Sequence, residues 1–469
     1  MLFTTEKYWL FLAIVFFVYW AVGRRRSLRV VCVLLASYYF YALWNPRLVP
    51  LLFALSSIDF LTARGISITT NSRLRRVLLI TSLVTDVGTL FVFKYFNFFS
   101  SSTNALLERL HWQTRSFLIE DLVIPLGLSF ITFRSLSYVI DVYRKTIPAT
   151  NRYLDYLAFV AFFPTLIAGP VVRAKDLLPQ FSRLEVNNDQ GVEAILLILV
   201  GLIKKVAIAD MIGSNLVDRV FDQPQFYSSL ETLAAIYGYA LQIYCDFSGY
   251  SDIAIGSAML LGFKLPDNFN SPYRAQNLRD FWRRWHITLS SWLFDYVYIS
   301  IGGLRKRRFN LYRNLFLTFL IGGLWHGASW TFVVWGALHG LGLALNQWWS
   351  TRFKRRVRVW WLKVLCTIAT FNFICLTWIV FRSQTLSQAV EVLKRLSVFQ
   401  FSTANLPTSL LLLLVVGFAS HFAPAKFVMR VRDGWAWLPA PAQALIVLSV
   451  AAGLYYVSGA EVQFIYGNF

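Results

Sequence analysis

Apolar runs separated by short basic loops are the strongest constraint on what this chain can fold into. The runs cover 8–22, 29–43, 48–63, 77–96, 121–140, 155–171, 192–213, 232–262, 311–325, 327–348, 361–381, 408–422 and 442–457. A membrane-crossing helix needs about 20 predominantly apolar residues. Composition removes the alternatives. The chain is 57% hydrophobic and 15% charged, whereas a soluble domain carries about 45–50% apolar and about 25% charged residues. A soluble nucleic-acid binder could carry the net charge of +21, but only on a polar surface. Disorder is excluded by the hydrophobicity. The expected fold is an all-α polytopic membrane protein, with about 11 transmembrane helices plus one or two segments that enter and turn back.

Basic residues set the expected orientation. The loops 23–29 (Arg24, Arg25, Arg26, Arg29) and 64–76 (Arg64, Arg73, Arg75, Arg76) hold no acid and read as cytoplasmic. The alternate loops are weaker, with Arg47 in one and Arg109 and Arg115 balanced by Glu108 and Glu120 in the other. The N-terminus is therefore expected outside, and 141–153 inside. The first run follows Glu6 and Lys7 and ends in arginines, which is a retained span rather than a cleaved signal.

Two further basic clusters, Arg305–Arg308 and Arg352–Arg358, should both be cytoplasmic. The chain between them must then enter the membrane and return. Its arms meet near Gly322-Gly323-Leu324-Trp325-His326-Gly327. His326 follows Arg308 by 18 residues, enough at about 1.5 Å per helical residue to reach well into a bilayer. An intramembrane imidazole is a functional hypothesis by default, set against a structural histidine bonded across helices. A neutral imidazole is the natural general base for a hydroxyl nucleophile.

Other motifs admit two readings. Read as one helix, 279–293 places Trp282, Trp285, His286 and Leu289 on one face. That is either an interfacial helix with snorkelling Arg283 and Arg284 or part of a reaction site. Asp246 and Asp252 lie in an apolar run beside Tyr250 and must pair or face a cavity. Arg283, Arg284 or an imidazole would be the partner. His339 reads as a packed polar residue, His421 as interfacial and His111 as solvated. Cys32, Cys245, Cys366 and Cys375 form no CxxC pair and read as small buried hydrophobes. GxSxG, HExxH, P-loop and GxGxxG motifs are absent, and no metal ligand set is expected.

The stretches IPLGLSFITFRSLSYVIDVYR (124–144), FPTLIAGPVVR (163–173), GLIKKVAIAD (201–210), 237–303 and GGLWHGASW (322–330) resemble the membrane-bound O-acyltransferase (MBOAT) family. The likeness is greatest to its bacterial alginate and peptidoglycan O-acetylating members. It covers most of 120–345 and suggests a division into 1–119, 120–348 (catalytic core) and 349–469 within one structural domain. The resemblance implies an MBOAT fold with a central tunnel. It implies that His326 is catalytic, and that His286, which matches the family's second recurring histidine, is a second catalytic residue in the reaction funnel. The same likeness implies a location in the bacterial inner (cytoplasmic) membrane. It also implies an acyl thioester donor, such as acetyl-CoA or an acyl carrier, with no bound cofactor.

The expected reaction is acetyl transfer from a cytoplasmic thioester, for O-acetylation of an extracytoplasmic polysaccharide: alginate-like, cellulose or peptidoglycan. Trp325, Trp285, Asp246, Tyr250, Arg283 and Arg284 are the expected substrate-binding residues. Trp325 or Trp285 N–H, His286, or a backbone N–H at a Gly322–Gly323 break would face the oxyanion. Lys204–Lys205 and Arg305–Arg308 would attract the anionic donor, although topogenic charge explains the latter cluster as well. An extracytoplasmic esterase-like acetyltransferase is the expected partner, alongside the lipid bilayer and without nucleic acid. The alternatives are a transporter or flippase using the same intramembrane groups, or a scaffold of a polysaccharide-modification complex.

Overall fold

The computed structural model describes residues 2–112, 117–120, 123–183, 188–303, 308–353 and 359–457. Every regular element among them is helical. Arg305–Arg307 and Lys354–Arg358 lie outside the described residues, as does Arg115. Among the described residues, four helical spans are long and apolar enough to cross a membrane: Pro46–Ile68, Ser72–Arg109, Trp360–Arg382 and Ala440–Val457. The pair Thr408–His421 and Ala425–Trp437, bent by 92°, makes a fifth if taken as one span. The expected number was about 11. Several of the runs fold as shorter helices: Glu6–Ala21 has 16 residues and Arg26–Ala42 has 17. The run 155–171 is α-helical over Tyr153–Ala161, makes a 3-10 turn over Phe163–Thr165 and then turns irregular.

The chain forms two compact units, 1–187 with 257–266 and 188–256 with 267–469. In the first, aromatic rings of several helices interlock: Phe163 packs on Phe11 at 5.1 Å and on Phe40 at 6.0 Å between centroids. Two of its buried polar side chains find partners inside the unit. The fully buried Arg134 of Leu128–Tyr143 donates to the Val160 carbonyl at 2.9 Å and to Thr165. The Ser82 hydroxyl donates to the buried Asp59 carboxyl at 2.6 Å. Unpaired, such groups would each cost several kcal/mol, about 2–7 in an apolar medium.

The second unit holds every residue singled out for chemistry. It includes residues up to Gly256 of the 32-residue helix Ser229–Leu260. Gly201 and Gly249 let the preceding helix approach it at backbone distance: a Cβ on Gly201 would stand 2.7 Å from the Gly249 carbonyl oxygen. That helix, Asn188–Leu202, then widens into π-helical turns over Ile203–Asp210. Such widening often occurs at functional positions. Here it carries Lys204 and Lys205 to the Asp246 face of the long helix.

Candidate active site

His326 is the last residue of the helix Arg308–His326, and the next helix, Trp330–Arg352, runs back along it. The hairpin expected at GGLWHG is therefore present, but its break falls after His326 and not at Gly322–Gly323. Those two glycines lie inside the first arm, so their N–H groups belong to the helix ladder and do not serve an oxyanion. The Ser329 hydroxyl caps the second arm by accepting from the Thr331 N–H at 3.3 Å. Gly323 and Gly336 bring the arms into backbone contact. A Cβ on Gly323 would stand 2.3 Å from the Phe332 carbonyl oxygen and 2.9 Å from the Gly336 Cα.

The imidazole of His326 is 3% exposed. It packs edge-on against Trp335 (4.9 Å) and Phe381 (5.2 Å), with Trp325 at 4.9 Å and Phe332 at 6.4 Å between centroids. Aromatic walls fix the ring and lower the local dielectric, which strengthens any electrostatic contact made there.

His286 does not lie on a continuous helix. The segment 279–293 breaks into Leu278–Trp282 and Ile287–Trp292, and His286 sits between them at φ +42°. A non-glycine residue at positive φ is uncommon, and the i, i+3, i+4 spacing of Trp282, Trp285 and His286 imitates a helix that does not form. The turn is tied down by Asn268. Its carbonyl accepts from the Ile287 N–H at 2.9 Å, and its side-chain Oδ1 lies 3.0 Å from His286 Nδ1 and 2.9 Å from the Thr288 hydroxyl. Asn268 Nδ2 donates to the Ser251 hydroxyl at 3.1 Å, which orients the amide.

With Oδ1 as acceptor, the neutral His286 carries its proton on Nδ1 and its lone pair on Nε2. That Nε2 is buried without a hydrogen-bond partner among the described residues. Phe247, 4.7 Å away and perpendicular, and Trp325, at 6.1 Å, wall the ring. The Trp325 indole therefore touches both histidines. Asn268 was not found from the sequence, because an asparagine in an irregular segment 18 residues before its histidine carries no spacing signal.

The long helix sorts its polar residues by face. Phe247 and Ser251 reach the His286–Asn268 turn, whereas Asp246 and Tyr250, also four apart, reach Lys205. Lys205 Nζ lies 2.6 Å from Asp246 and 2.6 Å from Asp210, and 5.6 Å from the Tyr250 ring centroid. Lys204 pairs with Asp252 at 2.7 Å. The expected partners of Asp246 are thus corrected: Arg284 is paired with Asp280 at 2.9 Å, and Arg283 is exposed. Lys204 and Lys205 are bound to carboxylates and do not form an open attraction for the donor.

Trp285 packs on Phe269 and Trp378 (5.1 Å each) and supports the His286 turn. His339 is held at both nitrogens, by Trp282 Nε1–H at 3.2 Å and Thr377 Oγ1 at 3.0 Å, the packed polar residue expected. His421, expected at an interface, is buried, and its Nε2 accepts from the Tyr273 N–H at 3.1 Å. Cys245 and Cys375 are buried, whereas Cys32 and Cys366 are partly exposed. No group of three metal-binding side chains occurs among the described residues.

Residues 81–384 match the model of the MBOAT, membrane-bound O-acyltransferase family. Among similar curated proteins, one named "Probable alginate O-acetylase AlgI" from Pseudomonas aeruginosa is 40% identical over 402 residues, covering 85% of this chain and 74% of that protein. The peptidoglycan O-acetyltransferase of Helicobacter pylori is 39% identical over 390 residues, covering 77% and 72%. A teichoic acid D-alanyltransferase of Streptococcus thermophilus is 29% identical over 283 residues, covering 55% and 68%. The family match takes in the His286 turn, the Lys205 ion pairs and the His326 hairpin, and with apolar helices of spanning length it makes this chain a multi-pass membrane protein of the membrane-bound O-acyltransferase family, an O-acyltransferase.

Proposed function

We propose that the protein moves an acetyl group from a cytoplasmic thioester to a hydroxyl, for O-acetylation of an extracytoplasmic polysaccharide such as alginate, cellulose or peptidoglycan. His326 is the general base. The reading is supported by one observation above others: two buried imidazoles share the Trp325 indole, one at a helix end and one with a lone pair on an unpartnered Nε2. The names of relatives supply the acceptor class. An imidazole takes the hydroxyl proton as the oxygen attacks the thioester carbonyl. Collapse of the tetrahedral intermediate breaks the C–S bond, and the imidazolium returns the proton to the departing thiolate. Carbonyl groups in the last turn of Arg308–His326 place partial negative charge beside His326 as it becomes cationic. General-base assistance is worth about 10²–10⁴-fold. Burial in aromatic walls excludes water, which would otherwise hydrolyse the thioester.

The N-terminus lies outside in the bacterial inner membrane in this reading, and an extracytoplasmic esterase-like protein completes transfer to the polymer. The test is turnover of acetyl-CoA by purified protein in detergent, with a soluble oligosaccharide as acceptor and ester formation read by mass spectrometry. Ester formation without a membrane gradient supports acyl transfer over transport. A folded His326→Ala variant with wild-type turnover would remove His326 from the mechanism.

A further inference from the structure

A cavity of about 550 Å³ lies in the second unit, between the segment 279–298 and the two arms of the His326 hairpin. Its interior is apolar, with Phe294, Leu311, Leu315 and Phe319 among its walls. Arg279 and Arg283 line it as well, and both are exposed. Neither guanidinium has an ion-pair or hydrogen-bond partner among the described residues, and no carboxylate lines the cavity. The neighbouring Arg284 is different, being neutralised by Asp280. Two like charges one helical turn apart repel, so an anion placed between them relieves a repulsion already built into the fold.

The cavity wall also carries Trp282, whose indole N–H is taken up by His339, and Ile287, the residue after His286. Neither His286 nor His326 lines it. One of its apolar walls is open to the surroundings: Phe294 is 44% exposed. In a membrane protein such side chains face acyl chains.

We propose that this cavity binds an anionic phospholipid, one acyl chain entering between Leu311, Leu315 and Phe294 and the phosphate bridging Arg279 and Arg283. The occupant is a lipid rather than the thioester donor, because the cavity opens beside an exposed apolar side chain and neither imidazole lines it. A basic side chain near an anionic lipid surface contributes about 1 kcal/mol, so two make the site about thirtyfold selective for an anionic over a zwitterionic lipid.

Native mass spectrometry of the full chain in detergent tests the proposal, with phosphatidylglycerol and phosphatidylcholine of identical chains titrated in turn. One phosphatidylglycerol per chain should be retained about thirtyfold more tightly than phosphatidylcholine. That preference should vanish in Arg279→Gln/Arg283→Gln, two surface changes that leave the core untouched. Leu315→Trp, which fills the cavity, should reduce retention of both lipids. Equal retention of the two lipids by wild-type protein, or unchanged preference in the double variant, would overturn the proposal. Displacement of the lipid by acetyl-CoA would do the same and assign the cavity to the donor; binding of glycerol 3-phosphate as tightly as the lipid would reduce it to an anion site. None of these readouts requires turnover, so the result stands apart from the acyl-transfer reading.

Discussion

His286 and His326 pack against the same indole, that of Trp325, at 6.1 and 4.9 Å between ring centroids. Forty residues of sequence separate the two histidines, and one aromatic ring holds them in a single site. If they act as a unit, removing either costs nearly as much as removing both. His326→Ala should lower kcat by about 10²–10⁴-fold, and His286→Ala/His326→Ala should be little worse. Steady-state acetyl transfer by the three purified variants measures this, with strictly multiplicative losses contradicting joint action.

Asn268 is a positioning residue whose loss frees the His286 tautomer. Asn268→Ala removes the acceptor from Nδ1, so the lone pair no longer resides on Nε2 by default. A fall in kcat of about 10–100-fold is expected, the usual scale for an outer-shell partner. KM for the thioester should stay nearly constant, and Asn268→Asp, which keeps an acceptor oxygen, should recover part of the loss. A KM effect without a kcat effect would move Asn268 to substrate binding.

Lys205 stands between two carboxylates with its side chain 1% exposed. Lys205→Met strands Asp246 and Asp210 and should destabilise by about 3–5 kcal/mol, the scale for breaking a buried ion pair. Lys205→Met/Asp246→Asn should restore part of that stability. Thermal unfolding in detergent reads both, and a Lys205→Met variant as stable as wild type would show that the pair contributes little.

His339 has both ring nitrogens bonded, to Trp282 and Thr377. His339→Ala should therefore lower the melting temperature through one lost network, about 1–3 kcal/mol, while kcat of the surviving folded fraction changes little. A kcat loss comparable to that of His326→Ala would place His339 in the chemistry.

Much of this was legible in the sequence for reasons that are themselves physical. Basic clusters and a glycine-rich run marked the hairpin, and a hairpin places its tip residue, His326, without further information. The Asp246 pairing was not legible: Lys205 is 41 residues away, and the two helices meet through close glycine approaches, at Gly201–Gly249 and at Gly256 on Ala194, that spacing does not reveal. The His286 turn was hidden because a periodic pattern persists whether or not the backbone follows it. Only the Asn268 hydrogen bonds settle the residue at φ +42°. Several apolar runs fold as helices shorter than 18 residues, because a run's hydropathy carries no signal for where its helix starts and stops.

The contact of Gly323 with Gly336 fixes the main chain that carries His326, while the rings around it fix the imidazole. Exchanging Trp335, Phe332 or Phe381 would then re-aim the imidazole without moving the hairpin. A lineage built on this hairpin can vary the rings around the imidazole while inheriting the main chain that carries it. Such a frame suits relatives whose names carry three different polymers: alginate, peptidoglycan and teichoic acid.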